Sequence, residues 1–179
     1  TRQGEGDLES TIPADPGLLT LVTRVLQTLD QLELTVDDLT LTEIEARRFG
    51  EISFLAGDRE WATACYIAAL SIAPGQSATL RSLCRLTRES GEDEKLRQHI
   101  EGLLDITPDD PTLLREHARL LTKSGDAGAE KDLRRLEALG VETAEDKSMM
   151  ASLAARAGDT DVALSSIEEA LASDPNHDD

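Results

Sequence analysis

The sequence predicts an all-α fold, an α-solenoid of helical hairpins, and two observations carry this prediction. Glycines followed by an acidic residue recur at intervals of 34, 34 and 33 residues: Gly57, Gly91, Gly125 and Gly158. A fixed period of about 20 to 50 residues is typical of stacked supersecondary repeats. Apolar residues on both sides of each glycine are spaced three and four apart, which is the period of a helix and not of a strand.

The segment before the first hairpin is expected to form a tether and a helix. Residues 1–15 are polar and acidic and contain glycine and proline, which favours a flexible tether. Apolar residues at helical spacing follow Pro16 and predict a helix over residues 16–34 that packs on the array as a cap. The alternative is an amphipathic helix that binds a membrane surface or a partner, although its one cation, Arg24, disfavours anionic lipid. The spacing of Thr42 and Glu45 then predicts a capping box that opens the first hairpin.

Four hairpins are predicted, with an acidic tail after them at residues 177–179. The hairpins cover residues 42–75, 76–109, 110–142 and 143–176. Three of the second helices are expected to end at a proline, which cannot continue a helix: Pro74, Pro108 and Pro175. The third is expected to end at Gly140 and to begin one residue early, because its apolar residues come one position sooner after Gly125. The acidic residue after each turn glycine is expected to cap or stabilise the start of the next helix.

The repeats resemble the tetratricopeptide repeat (TPR) family over about residues 43–176. The resemblance rests on the Gly-Asp turn and on the closing segment Ala-Leu-Ser-Ile-Ala-Pro at residues 69–74. It rests also on small residues in the middle of each first helix: Gly50, Cys84, Ala118 and Ala151. Small residues there let the two helices of a hairpin approach closely. The resemblance implies a scaffold that binds proteins and does not catalyse, with a concave groove lined by the first helices.

Composition excludes several classes of partner. The 179 residues include 36 acidic and 18 basic side chains, a formal net charge of −18, which disfavours nucleic acid and anionic membranes through long-range repulsion. No run of apolar residues approaches the roughly 18 that a membrane-spanning helix needs. The chain begins at Thr1 instead of methionine, so we expect a fragment of a longer protein, with processing of the N-terminus as the alternative. Its compartment stays open, with the cytoplasm favoured. The acidic surface fits either a salt-rich habitat or a general need for solubility.

Catalytic residues, a metal site and cofactors are not predicted. Cys65 and Cys84 are 19 residues apart and form no Cys-x-x-Cys pair. Cys84 is expected to be a buried thiol, with a disulfide or a redox role as the alternative. The histidines lack a partner at metal-ligand spacing. His117 lies in an apolar helical segment, so a packed and hydrogen-bonded side chain is expected.

Basic residues cluster on the first helices, on the side away from the apolar positions. Arg81, Arg85 and Arg88 are spaced i, i+4 and i+7. In the next repeat, the cations Arg115, Arg119 and Lys123 are spaced i, i+4 and i+8. Nine candidate ligand-binding residues result: Arg47, Arg48, Arg81, Arg85, Arg88, Arg115, Arg119, Lys123 and Arg156. The acids predicted on the same face are fewer: Glu51, Glu89, Glu116 and Glu145. We therefore expect a cationic groove for an acidic peptide or a carboxylate. The alternative is a solvated face on which these arginines pair with glutamates between repeats.

Three function classes remain open. The first is a protein-interaction module whose groove binds an acidic segment of a partner. The second is a structural or self-assembly module, in which the C-terminal end contacts a second copy, as a homodimer, or a neighbouring domain. The third is recruitment of substrate for a fused enzyme. Adaptors of the TPR family that bind chaperone C-termini use asparagines where this chain has Glu51 and Ser82, which argues against that role.

Overall fold

Helices make up the regular structure of the protein in the computed structural model, which describes residues 16–173. Within these residues there are nine α-helices and no strand. Their bounds are α1 Pro16–Gln31, α2 Glu43–Leu55, α3 Arg59–Ile72, α4 Ser77–Ser90, α5 Asp93–Ile106, α6 Pro111–Ser124, α7 Ala129–Ala138, α8 Ala144–Ala157 and α9 Thr160–Ser173. A short 3₁₀ turn, Val36–Asp38, lies between α1 and α2. The predicted all-α hairpin architecture is confirmed. The predicted tether at 1–15 and tail at 177–179 lie outside the described residues.

The turn glycines set the length of each hairpin. All four have positive φ, between 72° and 86°, a conformation that costs glycine little. At Gly125 and Gly158 the glycine is the left-handed cap of the preceding helix, and its N–H donates back to that helix. The predicted turn positions are therefore correct. The helices also end before Pro74, Pro108 and Gly140 as expected, whereas Pro175 lies outside the described residues.

Helix starts agree with the sequence in part. Thr42 and Glu45 form the predicted capping box, and the Asp58 carboxylate accepts a hydrogen bond from the N–H of Trp61. Two other starts differ. Glu92 precedes α5 but makes no capping hydrogen bond from its side chain, because Ser90 and Lys95 engage its carboxylate.

The start of α7 corrects a second expectation. This helix begins at Ala129, four residues after its turn glycine, whereas α3, α5 and α9 begin two residues after theirs. It therefore starts late, although its apolar residues come early. The Asp126 carboxylate accepts a hydrogen bond from the Gly128 N–H at 2.8 Å. This local turn replaces the first helical turn, as short polar side chains often do.

The chain divides into two compact units, Thr1–Ser82 and Leu83–Asp179, and the border falls within α4. In the first unit α2 packs on α3, while α1 contacts α2. The side chains of Val22 and Leu26 on α1 are buried. Gly50 on α2 lies so close to α3 that an added Cβ would be 2.9 Å from the ring of Tyr66. The small residue in the middle of this first helix thus permits close packing, as the sequence suggested.

The second unit has a continuous apolar core. Helices α6, α7 and α8 contact one another, α5 contacts α6, and α9 packs on α8. The central cluster consists of Leu114, Ala118, Leu121, Ala129, Leu133, Leu136 and Met149. Burial of apolar side chains is the main stabilising term for a helical hairpin, since each leucine or methionine contributes about 1.5–3 kcal/mol when fully buried. The polar sides of α6 and α8 remain available for interactions between first helices.

Candidate functional site

The predicted ligand-binding residues fall in both units. Arg47, Arg48 and Arg81 belong to the first unit and the other six to the second. Arg48 and Arg81 are exposed, and Arg47 is partly buried with its Nε 3.7 Å from a Glu43 carboxylate oxygen on the same helix. Arg85 is exposed on α4, three residues before Arg88. The second unit shows most clearly what these cations do.

Two exposed arginines of the second unit each hold a carboxylate of the next first helix. Arg88 on α4 donates to Glu116 on α6 through Nε at 2.9 Å and through Nη2 at 2.7 and 2.8 Å. Arg119 on α6 donates to Glu145 on α8 through Nε at 3.2 Å and Nη2 at 2.7 Å. The two arginine side chains are 53% and 57% exposed. Both guanidinium forks are therefore arranged for a carboxylate and are accessible from solvent.

Arg115 makes a different, largely buried pair. It donates to the Asp146 carboxylate through Nε and Nη2 at 2.9–3.1 Å, and Nη2 also donates to the Val141 carbonyl at 3.0 Å. The Asp146 side chain is 0% exposed and also accepts the N–H and hydroxyl of Thr143 as part of the capping box of α8. Burial alone would raise the pKa of Asp146, but the bonds from Arg115 and Thr143 outweigh it and hold that pKa below its usual value. Arg115 thus fixes α8 against α6.

The remaining cations of the second unit also contact the protein. Lys123 at the end of α6 pairs with Asp93 on α5. Arg156 on α8 donates to the Thr122 carbonyl at 3.0 Å. The sequence predicts an excess of cations here but does not identify Asp93 and Asp146 as partners. The Thr143-x-x-Asp146 capping box could have identified Asp146, because it repeats the pattern of Thr42-x-x-Glu45.

His117 joins three helices of the second unit. Its Nδ1 lies 2.6 Å from a carboxylate oxygen of Asp132 on α7, and its Nε2 lies 3.4 Å from one of Glu101 on α5. The hydrogen bond to Asp132 is the largest influence on His117 and raises its pKa, with burial opposing it. The side chain is mostly buried and hydrogen-bonded, as the sequence predicted. Beside it a cleft of about 780 Å³ opens between α5 and α7, with acids on the α5 side and Lys131, Arg134 and Arg135 on the α7 side.

The described residues offer little for a metal site, a membrane span or a reactive thiol. Within residues 16–173, no three His, Cys, Asp or Glu side chains converge so that they could hold a metal ion. In the same range no helix has both the length and the apolar character needed to cross a bilayer. Cys65 and Cys84 are buried thiols. Burial, with a smaller contribution from Asp58, raises the pKa of Cys65 to about 12, so this thiol is not a ready nucleophile.

Comparison with known proteins identifies the fold. No protein-family model matches the sequence, and no curated protein matches it either. Among solved structures, a tetratricopeptide repeat protein from Parabacteroides merdae superimposes with a TM-score of 0.58 at 18% identity, over 89% of this chain. This chain spans 61% of the length of that protein. A thermophilic TPR protein from Thermus thermophilus matches with a TM-score of 0.44 at 20% identity, over 89% of this chain and 82% of its own. The first of these superpositions shows that the fold is that of TPR proteins.

Proposed function

We propose that this chain with the fold of TPR proteins is a non-catalytic interaction module that binds an acidic segment of a partner protein through Arg88 and Arg119. Helical repeats of this type generally present extended surfaces to other proteins, which supports the broader part of the proposal. The finer part rests on one observation. Two exposed guanidinium forks on neighbouring first helices already hold carboxylates through two nitrogens each.

Exchange of carboxylates is the proposed binding reaction. Glu116 and Glu145 occupy the positions that two carboxylates of a partner would take. Exposed ion pairs contribute about 0–1 kcal/mol each, so replacing the internal partner costs little. A partner with several carboxylates gains from engaging both arginines at once, since two linked contacts act with a high effective concentration. A single carboxylate gains no such advantage over the internal glutamates.

Arg115 is assigned a supporting role in this proposal. Its pairing with the buried Asp146 leaves it committed to the contact between α6 and α8. It therefore holds the helices that present Arg119 and Glu145 and is not itself available for exchange. The other predicted cations of the second unit, Arg85, Lys123 and Arg156, would contribute to the local positive potential, which chiefly speeds association and makes binding depend on salt.

The test measures binding of a fluorescein-labelled peptide of alternating glutamate and serine by anisotropy at low and high salt. An Arg88→Gln, Arg119→Gln variant should weaken binding by about tenfold or more, because both bidentate contacts are lost. The matched control is Arg134→Gln, Arg135→Gln, which removes the same charge from two exposed arginines of α7 and should leave binding nearly unchanged.

Removal of the internal competitors gives an opposite and more specific result. Glu116→Gln with Glu145→Gln should tighten binding of the same peptide, because both arginines then lack their charged internal partner. Equal affinity in wild type and in the Arg88→Gln, Arg119→Gln variant would contradict the proposal. So would equal weakening by the control variant on α7, since that result would indicate a general effect of net charge.

A further inference from the structure

The last described helix exposes an apolar stripe. Leu164, Ile167 and Leu171 on α9 are spaced i, i+3 and i+7, so they lie along one side of the helix. All three are exposed, whereas Ala163 and Ala170 on the neighbouring side are buried. The stripe therefore borders the face that packs on α8. It is a candidate contact surface because three large apolar side chains lie together in water.

The residues that occupy the position of Ile167 in the other second helices of the second unit have a different environment. Ile100 on α5 lies nine residues after its turn glycine, as does Ile167 on α9, and Leu133 on α7 takes the same position one residue early. Ile100 is 0% exposed, Leu133 is 1% exposed and Ile167 is 46% exposed. The first helix of the following hairpin contacts α5 and α7, as α6 and α8 respectively. Among the described residues, which end at 173, no helix follows α9.

A groove lies beside the stripe. It lies between α8 and α9, has a volume of about 330 Å³, and is lined on the α8 side by small side chains, among them Ala151 and Ala155. Ile167, Ala170 and Leu171 line the α9 side. Small residues allow another helix to approach closely, while the larger apolar residues supply area to bury.

The charges beside the stripe restrict the occupant. The sequence of α9 contains three acids and no Lys or Arg. Glu169 lies 3.3 Å from Lys147, while Asp161 and Glu168 are exposed and spaced i, i+7 along the edge next to Leu164. A second copy of α9 packed here would bring like charges together. A helix with Lys or Arg beside its apolar residues would instead be electrostatically complementary.

We propose that the groove and stripe of α8 and α9 bind an amphipathic helix of a partner protein, with Lys or Arg bordering its apolar side. The helix α6 illustrates this chemistry, since it contacts α5, has buried apolar residues on one side and carries three cations: Arg115, Arg119 and Lys123. The proposal is independent of the carboxylate site formed by Arg88 and Arg119. It uses another surface and a partner of opposite charge.

The probe for the test is a synthetic peptide with the sequence of residues 110–125, blocked at both ends and labelled with a fluorophore. A single helix of this length is marginal in water, so the comparison is between dissociation constants of variants. Wild type should bind the peptide, and Ile167→Ser with Leu171→Ser should weaken binding by about tenfold or more. That variant keeps the net charge, so a non-specific attraction between the basic peptide and the acidic protein would not change.

Matched substitutions complete the design. Ile67→Ser with Ile72→Ser on α3 removes two apolar side chains elsewhere that are at least as exposed, and it should leave binding unchanged. A peptide with Arg115→Glu, Arg119→Glu and Lys123→Glu should bind at least about tenfold more weakly, because it is repelled by Asp161 and Glu168. Circular dichroism of each protein variant verifies that the helices remain folded.

Three results would overturn the proposal. The first is no binding of the peptide to wild type. The second is equal binding of the charge-reversed peptide, which would remove the electrostatic assignment. The third is a wild type that dimerises with concentration in light scattering while the Ile167→Ser, Leu171→Ser variant stays monomeric, since the occupant would then be a second copy. The carboxylate site has its own probe and variants, so either proposal can fail without the other.

Discussion

The buried pair of Arg115 and Asp146 leads to a quantitative prediction about stability. Asp146→Ala removes a carboxylate that is 0% exposed and accepts bonds from Arg115 and Thr143, and it leaves a guanidinium that is 23% exposed without its hydrogen-bonded carboxylate. Breaking a buried pair in this way costs about 3–5 kcal/mol. Arg115 keeps its bond to the Val141 carbonyl and some contact with water, so we expect the lower end, about 3 kcal/mol.

The matched control lies one residue earlier on the same helix. Glu145→Ala removes a carboxylate from the exposed pair with Arg119, and it should cost about 0–1 kcal/mol. Urea unfolding followed by circular dichroism gives the free energy of unfolding of wild type and both variants. A much larger decrease in the free energy of unfolding for Asp146→Ala than for Glu145→Ala indicates a buried, stabilising pair, because both variants lose one negative charge.

Acid titration adds a second readout for the same pair. The pKa of Asp146 is lower in the folded protein, so its stabilisation is present above the unfolded pKa of about 4 and is lost as pH falls through the folded value. The difference between wild type and Asp146→Ala should therefore shrink in acid. Two results would refute this reasoning. One is a loss of unfolding free energy in Asp146→Ala at neutral pH no larger than that in Glu145→Ala, and the other is a difference between wild type and Asp146→Ala that does not depend on pH.

Three further predictions concern packing, pH and thiol reactivity. Gly50→Ala should lower the free energy of unfolding by about 1–3 kcal/mol in urea titrations, because its Cβ would meet the buried ring of Tyr66 at 2.9 Å; equal or higher stability would contradict this. His117 has a raised pKa in the folded state, so its stabilisation is complete below about pH 6.5 and is lost as pH rises through the folded value. In thermal unfolding, the melting temperature of wild type should therefore fall over this pH range, and that of His117→Gln should not. Parallel profiles of melting temperature against pH for the two proteins would contradict this role of His117. Cys65 should resist iodoacetamide at pH 8 in mass spectrometry until urea unfolds the protein, and rapid labelling of the native state would disagree.

The agreement between sequence and structure is greatest for local features. The turn glycines, the capping box of Thr42 and Glu45 and the helix stops before Pro74 and Pro108 all follow from backbone constraints within a few residues. The late start of α7 was missed although it is local too, because the hydrogen bond from Gly128 to Asp126 competes with a helical turn of similar stability.

The sequence predicts which residue types form the candidate site, but it does not predict whether each side chain is exposed or buried. The repeat spacing placed Arg88, Arg115 and Arg119 on first helices, and all three lie there. Whether each is exposed or buried depends on acids 26 to 31 residues away, since Glu116, Asp146 and Glu145 approach only when neighbouring hairpins pack. Several acids occur at similar separations, and spacing alone does not choose among them.

The sequence by itself determined the helical repeat, its turns and its acidic character, because helix period, turn conformation and charge are properties of short segments. The tertiary structure alone decided that Arg115 supports the fold while Arg88 and Arg119 remain open to solvent. It also decided that Ile167 is exposed where Ile100 is buried, although both occupy the same position in their repeats. The physical reason is the same in each case: burial and pairing depend on which helix lies across the residue.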